Sequence, residues 1–163
     1  MSVISESAAV NYEPKGTHPP TKPWVEEDNR IFIQEEPLSI EACTMWAQSD
    51  SCGAIATFIG TTRNEFNHKS VSKLEYEYYP DMAEEEIKKI IQKLRQITPE
   101  LCKILVGHRV GTVPVGEISI IIVVSSPHRK EAISAVDFAI DHVKKTVPIW
   151  KKEFFSDGST TWK

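Results

Sequence analysis

The stretch ISIIIVVSSPHRKEAISAVDFAIDHVKKTVPIW, residues 118–150, decides the fold of this 163-residue chain. It opens with a continuous apolar run over residues 118–124, which predicts a central, buried strand. Ser126 and Pro127 then predict the cap and the first residue of a helix that runs to about Val147, where Pro148 stops it. A buried strand followed by a long helix indicates that helices pack on a sheet.

The sequence on either side continues both patterns. Alternating or apolar runs predict further strands at residues 31–35, 54–59, 71–79, 103–110, 149–155 and 160–162, the last two joined by a turn at residues 156–159. A first helix is predicted from Ser39, its cap, to about Gln48, and a second follows the capping pair Asp81 and Glu84. The second helix has an apolar face at helical spacing, formed by Ile87, Ile90, Ile91, Leu94 and Ile97.

This order of elements predicts the fold class and the domain boundaries. We expect a single α+β domain over residues 31–163, with helices packed on a mixed, largely antiparallel sheet. Residues 1–30 contain four prolines among polar residues and have no sustained period, so they are predicted to be a flexible N-terminal tail.

Charge and cysteine content narrow the functional classes. A net charge of -4 argues against a general nucleic-acid binder, which needs many cationic contacts to phosphates, so any anion site must be local. Cys43, Cys52 and Cys102 are odd in number and widely spaced, and we expect packed thiols rather than a disulfide framework or a zinc site. Without a leader sequence or an apolar run of about 18 residues, the chain is predicted to be a soluble protein of a reducing compartment.

The two adjacent lysines near the end of the long helix are not equivalent. With about 100° of rotation per residue and Ile133 placed at zero, Lys144 lies about 20° beyond Ile133 and Lys145 on the opposite face, while the predicted buried stripe falls within about 80° of Ile133: Val136, Ile140, Val143 and Val147. Lys144 is then expected at the border of the core, where partial desolvation suits an amine to proton transfer. The alternative is a lysine whose stem covers apolar surface while its charge stays in water.

Other cations are candidates for an anion site. His128 and Arg129 begin the same helix, where free backbone N–H groups favour an anion, and Arg63 lies in the loop after a buried strand. Lys151 and Lys152 follow Trp150, whose ring offers a surface for a heterocycle. Each of these groups, taken alone, is also typical of a solvated surface.

A second His-Arg pair has a different interpretation. Strand alternation places His108 on the same side as Ile104 and Val106, which predicts a hydrogen-bonded histidine in the core.

Five motifs in consistent order resemble the molybdopterin synthase catalytic subunit family. They are TFIGTTRN (residues 57–64), LEYEYYPDMAE (residues 74–84), HRVG (residues 108–111), VSSPHR (residues 124–129) and VPIWKKE (residues 147–153). The resemblance spans residues 31–163 and implies an α/β hammerhead-type fold.

The resemblance also implies an activity and partners. Members of this family transfer sulfur from the C-terminal Gly-Gly thiocarboxylate of a small ubiquitin-like subunit to cyclic pyranopterin monophosphate. The product is the dithiolene of molybdopterin, made during molybdenum cofactor biosynthesis in the cytosol. A homodimer of large subunits with a small subunit at each outer end forms a heterotetramer, and no cofactor, metal, nucleic acid or membrane is implied.

The resemblance assigns roles to residues that match the motifs. Lys144 is the expected central catalytic lysine and Lys151 a second functional lysine. The anion and pterin ligands are expected to be Arg63, His128 and Arg129, together with the adjoining Lys152 and Glu153. Two departures bear on substrate affinity or subunit packing: Thr146 replaces a residue that is often basic, and the sequence stops soon after Trp162.

Two other functional classes remain open at this stage. A non-catalytic adaptor for a ubiquitin-like tail would keep the groove and tolerate loss of Lys144. A small RNA-binding module would use Tyr76, Tyr78 and Arg63 on an exposed sheet face, with a steep salt dependence.

Overall fold

A computed structural model describes residues 23–163 of the chain. Its strands are β1 (Trp24–Val25), β2 (Asn29–Gln34), β3 (Ala54–Thr61), β4 (Glu65–Phe66), β5 (Lys69–Tyr78), β6 (Ile104–Arg109), β7 (Gly111–Pro114), β8 (Ile118–Ser126), β9 (Ile149–Phe155) and β10 (Thr160–Trp162). Its helices are α1 (Ile40–Trp46), α2 (Pro80–Ile97) and α3 (Arg129–Thr146). The α+β class predicted from the sequence is confirmed.

The first sheet has the strand order β1-β2-β6-β8-β3, and only the β2–β6 pair is parallel. The apolar run predicted as a central strand is β8, which lies between β6 and β3. Side chains on its two faces enter different clusters, because successive residues of a strand point in opposite directions. Ile120, Ile122 and Val124 pack with α2 and α3, whereas Ile121 and Val123 pack with α1.

The second sheet has the order β10-β9-β5-β4, and β7 also pairs with β5. Leu74, Tyr76 and Tyr78 of β5 are buried in the main core, which confirms the predicted alternation of that strand. The predicted closing hairpin is present as β9 and β10. Between β4 and β5, Asn67 and His68 both have positive φ, as a tight two-residue hairpin turn requires.

The start of α2 differs from the prediction. The helix begins at Pro80 after Tyr79, and no side chain caps it, so Asp81 and Glu84 do not form the predicted capping pair. Proline at the first helical position fixes φ and needs no hydrogen-bond acceptor, which starts the helix one residue before Asp81. Glu84 instead pairs with Lys88 at 2.8 Å.

Helix α3 also begins later than predicted. It starts at Arg129 after His128, two residues beyond the predicted Pro127. Strand β8 continues to Ser126, because Ser125 and Ser126 remain paired with the first residues of β3.

In α1, by contrast, the predicted cap is confirmed: the Ser39 hydroxyl accepts a hydrogen bond from the Ala42 amide at 3.1 Å.

The ordered domain extends further toward the N-terminus than expected. Trp24 and Val25 pair with Ile31 and Arg30, so the predicted boundary after residue 30 lies inside a β-ladder. Residues 1–22 of the predicted flexible tail lie outside the described residues. None of the helices within residues 23–163 is long and apolar enough to cross a membrane.

The prediction of three packed thiols is wrong for two of the cysteines. Cys52 and Cys102 form a disulfide, and Cys43 is a buried free thiol. Spacing along the chain could not reveal the pairing, because the two residues are 50 positions apart. Topology brings them together: they precede β3 and β6, which flank β8 and both run antiparallel to it.

Candidate functional site

A small pocket of about 30 Å³ lies between the end of β3 and the second sheet. Three of its lining residues are the sequence-predicted Arg63, Lys151 and Glu153. The remaining wall is formed by Thr61, Glu65, Phe66, Val71 and Leu74. The structure therefore brings three of the seven predicted residues into one place: a loop cation next to two charged residues of β9.

Charged side chains in this pocket are unusually buried. Lys151 is 5% exposed and Glu153 is 2% exposed, and Lys151 Nζ lies 3.6 Å from Glu153 Oε1. Lys163 Nζ approaches the same oxygen at 3.4 Å. Glu153 Oε2 is buried and has no hydrogen-bond partner within residues 23–163. Buried charges are rarely retained without pairing, so one carboxylate with two ammonium groups indicates a built electrostatic site.

The β9–β10 hairpin explains how these residues meet. On β9, alternate side chains point to one face, which places Lys151 and Glu153 together. Lys163 lies opposite Lys151, and the two exchange backbone hydrogen bonds at 2.8 and 3.0 Å. The sequence interpretation missed Lys163, although extending the predicted hairpin by one residue would have paired it with Lys151. Its ammonium group also lies over the Phe66 ring.

Burial shifts two titrations around the pocket. It lowers the pKa of the Lys163 ammonium, and the nearby Lys151 and Arg63 add to this effect while Glu153 opposes it. Burial also raises the pKa of the Tyr76 phenol. A hydrogen bond with Ser119 lowers this pKa, and the charge of Glu153 raises it. Lys163 therefore releases a proton more readily than an ordinary lysine.

His108 is a core residue, as predicted. It is 1% exposed, its Nδ1–H donates to the Arg109 carbonyl at 2.7 Å, and its ring meets Tyr76 edge-on at 5.1 Å. Burial lowers the pKa of His108 to about 4, so the ring is neutral at physiological pH.

His128 and Arg129 lie far from this pocket within one chain. Strands β3 and β8 are antiparallel, and Thr61 pairs with Ile118 at one end of their ladder while Ala54 pairs with Ser126 at the other. Arg63 follows the first end, and His128 follows the second. Eight residues of strand separate the two ends by roughly 25 Å. Both His128 and Arg129 are exposed.

Lys144 is exposed, and so is Lys145. The predicted packed stem of Lys144 is wrong because the buried stripe does not extend as far as Ile133, which is itself 59% exposed. The other residues predicted for the buried stripe, Val136, Ile140, Val143 and Val147, are buried as expected, together with Ala132, Ala135 and Ala139. Among residues 23–163, Lys144 forms no ion pair and does not line the pocket. Lys152, next to the pocket, lies over the Phe154 and Trp162 rings.

No group of three or more His, Cys, Asp or Glu side chains within residues 23–163 is arranged to hold a metal. The tyrosines required for an RNA-stacking surface are buried, since Tyr76 is 3% and Tyr78 5% exposed. Base stacking needs accessible aromatic faces, so the RNA-binding alternative loses its main support.

Comparison with known proteins identifies the family. The family model described as MoaE protein matches residues 33–146, which is most of the chain. The chain belongs to the MoaE family. The molybdopterin synthase catalytic subunit of Dictyostelium discoideum is 50% identical to it over 141 residues, covering 84% of this chain and 89% of the relative. The Homo sapiens protein of the same name is also 50% identical over 141 residues, covering 85% of this chain and 74% of the relative.

Solved structures share the MoaE fold. Molybdopterin synthase from Staphylococcus aureus superposes with a TM-score of 0.76 at 34% identity, covering 80% of this chain and 94% of that chain. A chain from the complex of subunits 1 and 2 of the Helicobacter pylori molybdopterin-converting factor superposes at 0.68 with 22% identity, covering 81% of this chain and 88% of that chain. The second likeness is one of fold.

Proposed function

We propose that this chain is the catalytic subunit of a molybdopterin synthase. It takes sulfur from the C-terminal thiocarboxylate of a small ubiquitin-like partner and transfers it to cyclic pyranopterin monophosphate. The observation that carries the proposal is the buried cluster of Lys151, Glu153 and Lys163 beside Arg63, in a chain that belongs to the MoaE family. The cytosol suits such a reaction, and we expect the enzyme there.

The cluster has the chemistry that sulfur transfer to an anionic substrate requires. A thiocarboxylate and a phosphate are both anions, and desolvated cations stabilise negative charge more strongly than cations in water. Lys151 is held in place by Glu153, and Arg63 makes no hydrogen bond or ion pair with any residue of the described range, so its guanidinium is available to a ligand. Because sulfur arrives on the partner, no activated cysteine is needed.

The position of His128 and Arg129 supports a homodimer whose two chains share each site. Strand β3 is at the edge of the first sheet, so its outer backbone groups can pair with a second chain. Antiparallel pairing of β3 with its symmetry mate would bring the Arg63 end of one chain next to the Gly53 end of the other. The Gly53 amide donates to the Pro127 carbonyl, so that end carries His128 and Arg129.

Exposed apolar side chains along this edge favour the same arrangement. Ile55 on β3 is 40% exposed, and Ile133 on the adjoining α3 is 59% exposed. A two-fold interface buries the same patch on both copies, which gives these isoleucines a partner surface. Lys144 lies on α3 at about 20° from Ile133 in helical projection, so the expected catalytic lysine would face the shared site.

Reconstitution tests the proposed function directly. The chain is incubated with a thiocarboxylated small subunit and cyclic pyranopterin monophosphate, and oxidised molybdopterin is measured by fluorescence. Product is expected with the thiocarboxylated partner and not with the same partner carrying an ordinary carboxylate. An adaptor that only binds the tail predicts a stable complex without product in either case, and that result would overturn the proposal.

A further inference from the structure

A second and larger cavity, of about 420 Å³, lies on the other side of the molecule, between α1 and the outer face of β1 and β2. Its volume falls in the range of about 300–1,000 Å³ typical of small-molecule sites. Apolar side chains dominate its wall: Pro23, Val25, Phe32, Pro37, Ala42 and Leu105. The polar and thiol groups in the wall are Arg30, Gln34, Ser39 and Cys43.

The alternation of β2 builds the floor of this cavity. Ile31 and Ile33 point into the main core, so Arg30, Phe32 and Gln34 point to the α1 side. The Phe32 ring lies directly over Gly107 of β6, the residue with which it pairs. A Cβ at position 107 would collide with that ring, so glycine is what lets Phe32 lie flat and leave the space above it open.

Most polar groups of the cavity wall are already satisfied. The Gln34 side-chain amide donates to the carbonyls of Glu36 and Pro37, and the Ser39 hydroxyl accepts from the Ala42 amide. Burial raises the pKa of the Cys43 thiol, although the Arg30 charge opposes the shift, so Cys43 is neutral. No carboxylate is among the lining residues.

Arg30 is the exception. Its guanidinium stacks on the Trp46 ring, with Cζ 4.7 Å from the ring centroid. Its Nε is buried without a hydrogen-bond partner, and the guanidinium forms no ion pair with any residue between 23 and 163. An unpaired buried donor is costly, and ligands often satisfy such groups. Stacking on Trp46 fixes the plane of the guanidinium and leaves its N–H edge free, the geometry that binds a carboxylate through two hydrogen bonds.

We propose that this cavity is a binding site for a small planar organic anion, in which Arg30 binds the carboxylate and the apolar wall binds an aromatic body. The site is separate from the Lys151 pocket and goes beyond the proposed sulfur transfer. A mainly apolar cavity with one fixed cation selects for a ligand with one charged end.

A matched pair of probes tests the charge requirement. Binding of 2-naphthoate and of its neutral analogue 2-naphthamide to the full chain is measured by calorimetry at neutral pH. We expect saturable 1:1 binding of the carboxylate and at least about tenfold weaker binding of the amide, the size of one charge-assisted hydrogen bond. Equal affinity for the two probes, or no binding of the carboxylate, would overturn the proposal.

Variants locate the site. Arg30→Gln should remove the preference for the carboxylate, and Ala42→Leu, at an exposed helical position that lines the cavity, should block both probes. Lys93→Gln, which removes an exposed cation from α2, is the control and should bind like the parent chain. Lys151→Ala should also bind the probes normally, which separates this site from the proposed active site. Retained preference in Arg30→Gln, with melting temperature unchanged, would contradict the assignment.

Discussion

Two charged residues of this fold lie in its interior, where burying an unpaired charge costs free energy. Glu153 and Lys151 are almost fully buried, and Lys163 is the second cation that compensates the carboxylate. A buried ion pair contributes little net stability compared with apolar residues of similar volume, so its presence in the core points to function. Substitutions of these residues should therefore affect stability and activity differently.

Replacing Lys151 should lower both stability and activity, and a second replacement at Glu153 should restore only the stability. Lys151→Met leaves Glu153 with a single cation, and we expect a loss of roughly 1–3 kcal/mol in the free energy of unfolding and of at least about two decades in product formation. The double variant Lys151→Met/Glu153→Gln removes the buried charge and should recover most of the stability without recovering activity. Urea unfolding and single-turnover product measurements check this, and recovered activity in the double variant would refute a catalytic role for Lys151.

The adjacent lysines of α3 should differ in activity alone. Both are exposed, so neither Lys144→Ala nor Lys145→Ala should change stability by more than about 0.5 kcal/mol. Lys144→Ala should reduce product formation by at least about two decades, because a positioned acid–base group typically contributes 10² to 10⁴ in rate. Lys145→Ala should change little. Partner affinity is measured in parallel, and comparable damage from both variants would contradict the assignment.

His108 should make the stability of the fold depend on pH. Its pKa is about 4 in the folded protein and near 6.5 when unfolded, so the unfolded chain binds the proton more readily. The stabilisation is complete above pH 6.5 and is lost as the pH falls toward 4, by up to about 3 kcal/mol. The free energy of unfolding, measured with urea at each pH across this range, should have a smaller slope against pH in His108→Asn. The asparagine amide can keep the hydrogen bond to Arg109. Identical slopes would show that another group controls the acid sensitivity.

At the scale of elements, strands could be predicted from the apolar patterns of the sequence, but the close packing of a helix on a sheet could not. The β8 run, the β9–β10 hairpin and the buried His108 followed from apolar patterns that the structure reproduces. Only the edge of the buried face of α3 was misjudged: alanines are buried beside the predicted Val136, Ile140 and Val143, whereas the larger Ile133 remains exposed. Hydrophobic size alone does not reveal where a helix approaches a sheet closely.

The same limit applies to the candidate site. Residue patterns supplied Arg63 and Lys151, and the resemblance added Glu153; the structure brings these three together, but Lys163 depends on strand register. The separation of Arg63 from His128 depends on which strands are antiparallel. Neither is a local property of the sequence, because tertiary pairing determines both.

The free edge of β3 gives a prediction about assembly. Ile55→Lys places a charge at an exposed position of the edge strand, so the fold should tolerate it while strand pairing between copies should not. We expect a dimer-to-monomer shift in light scattering after size exclusion, together with loss of product formation. Ile97→Lys, at an exposed isoleucine of α2, is the matched control and should remain dimeric. A dimer that persists in Ile55→Lys would exclude this edge as the interface.

The whole molecule is acidic, whereas its proposed active site is locally basic. The net charge is -4, yet the proposed pocket gathers Arg63, Lys151 and Lys163 from one copy and His128 and Arg129 from the other. Such an arrangement would keep general polyanion affinity low and confine positive charge to the place where two anionic reactants meet. It also makes activity depend on assembly.

Subunit mixing tests this account most directly. If both residues serve the reaction, the Lys151→Ala and Arg129→Ala proteins are each inactive. The two proteins are dissociated, mixed in equal amounts and reassociated, and the thiocarboxylated partner and cyclic pyranopterin monophosphate are then added. If each site takes residues from two chains, mixed dimers contain one intact site, and random reassociation should restore about a quarter of the parental activity. Product formation that stays at the level of the separate variants would contradict a shared site.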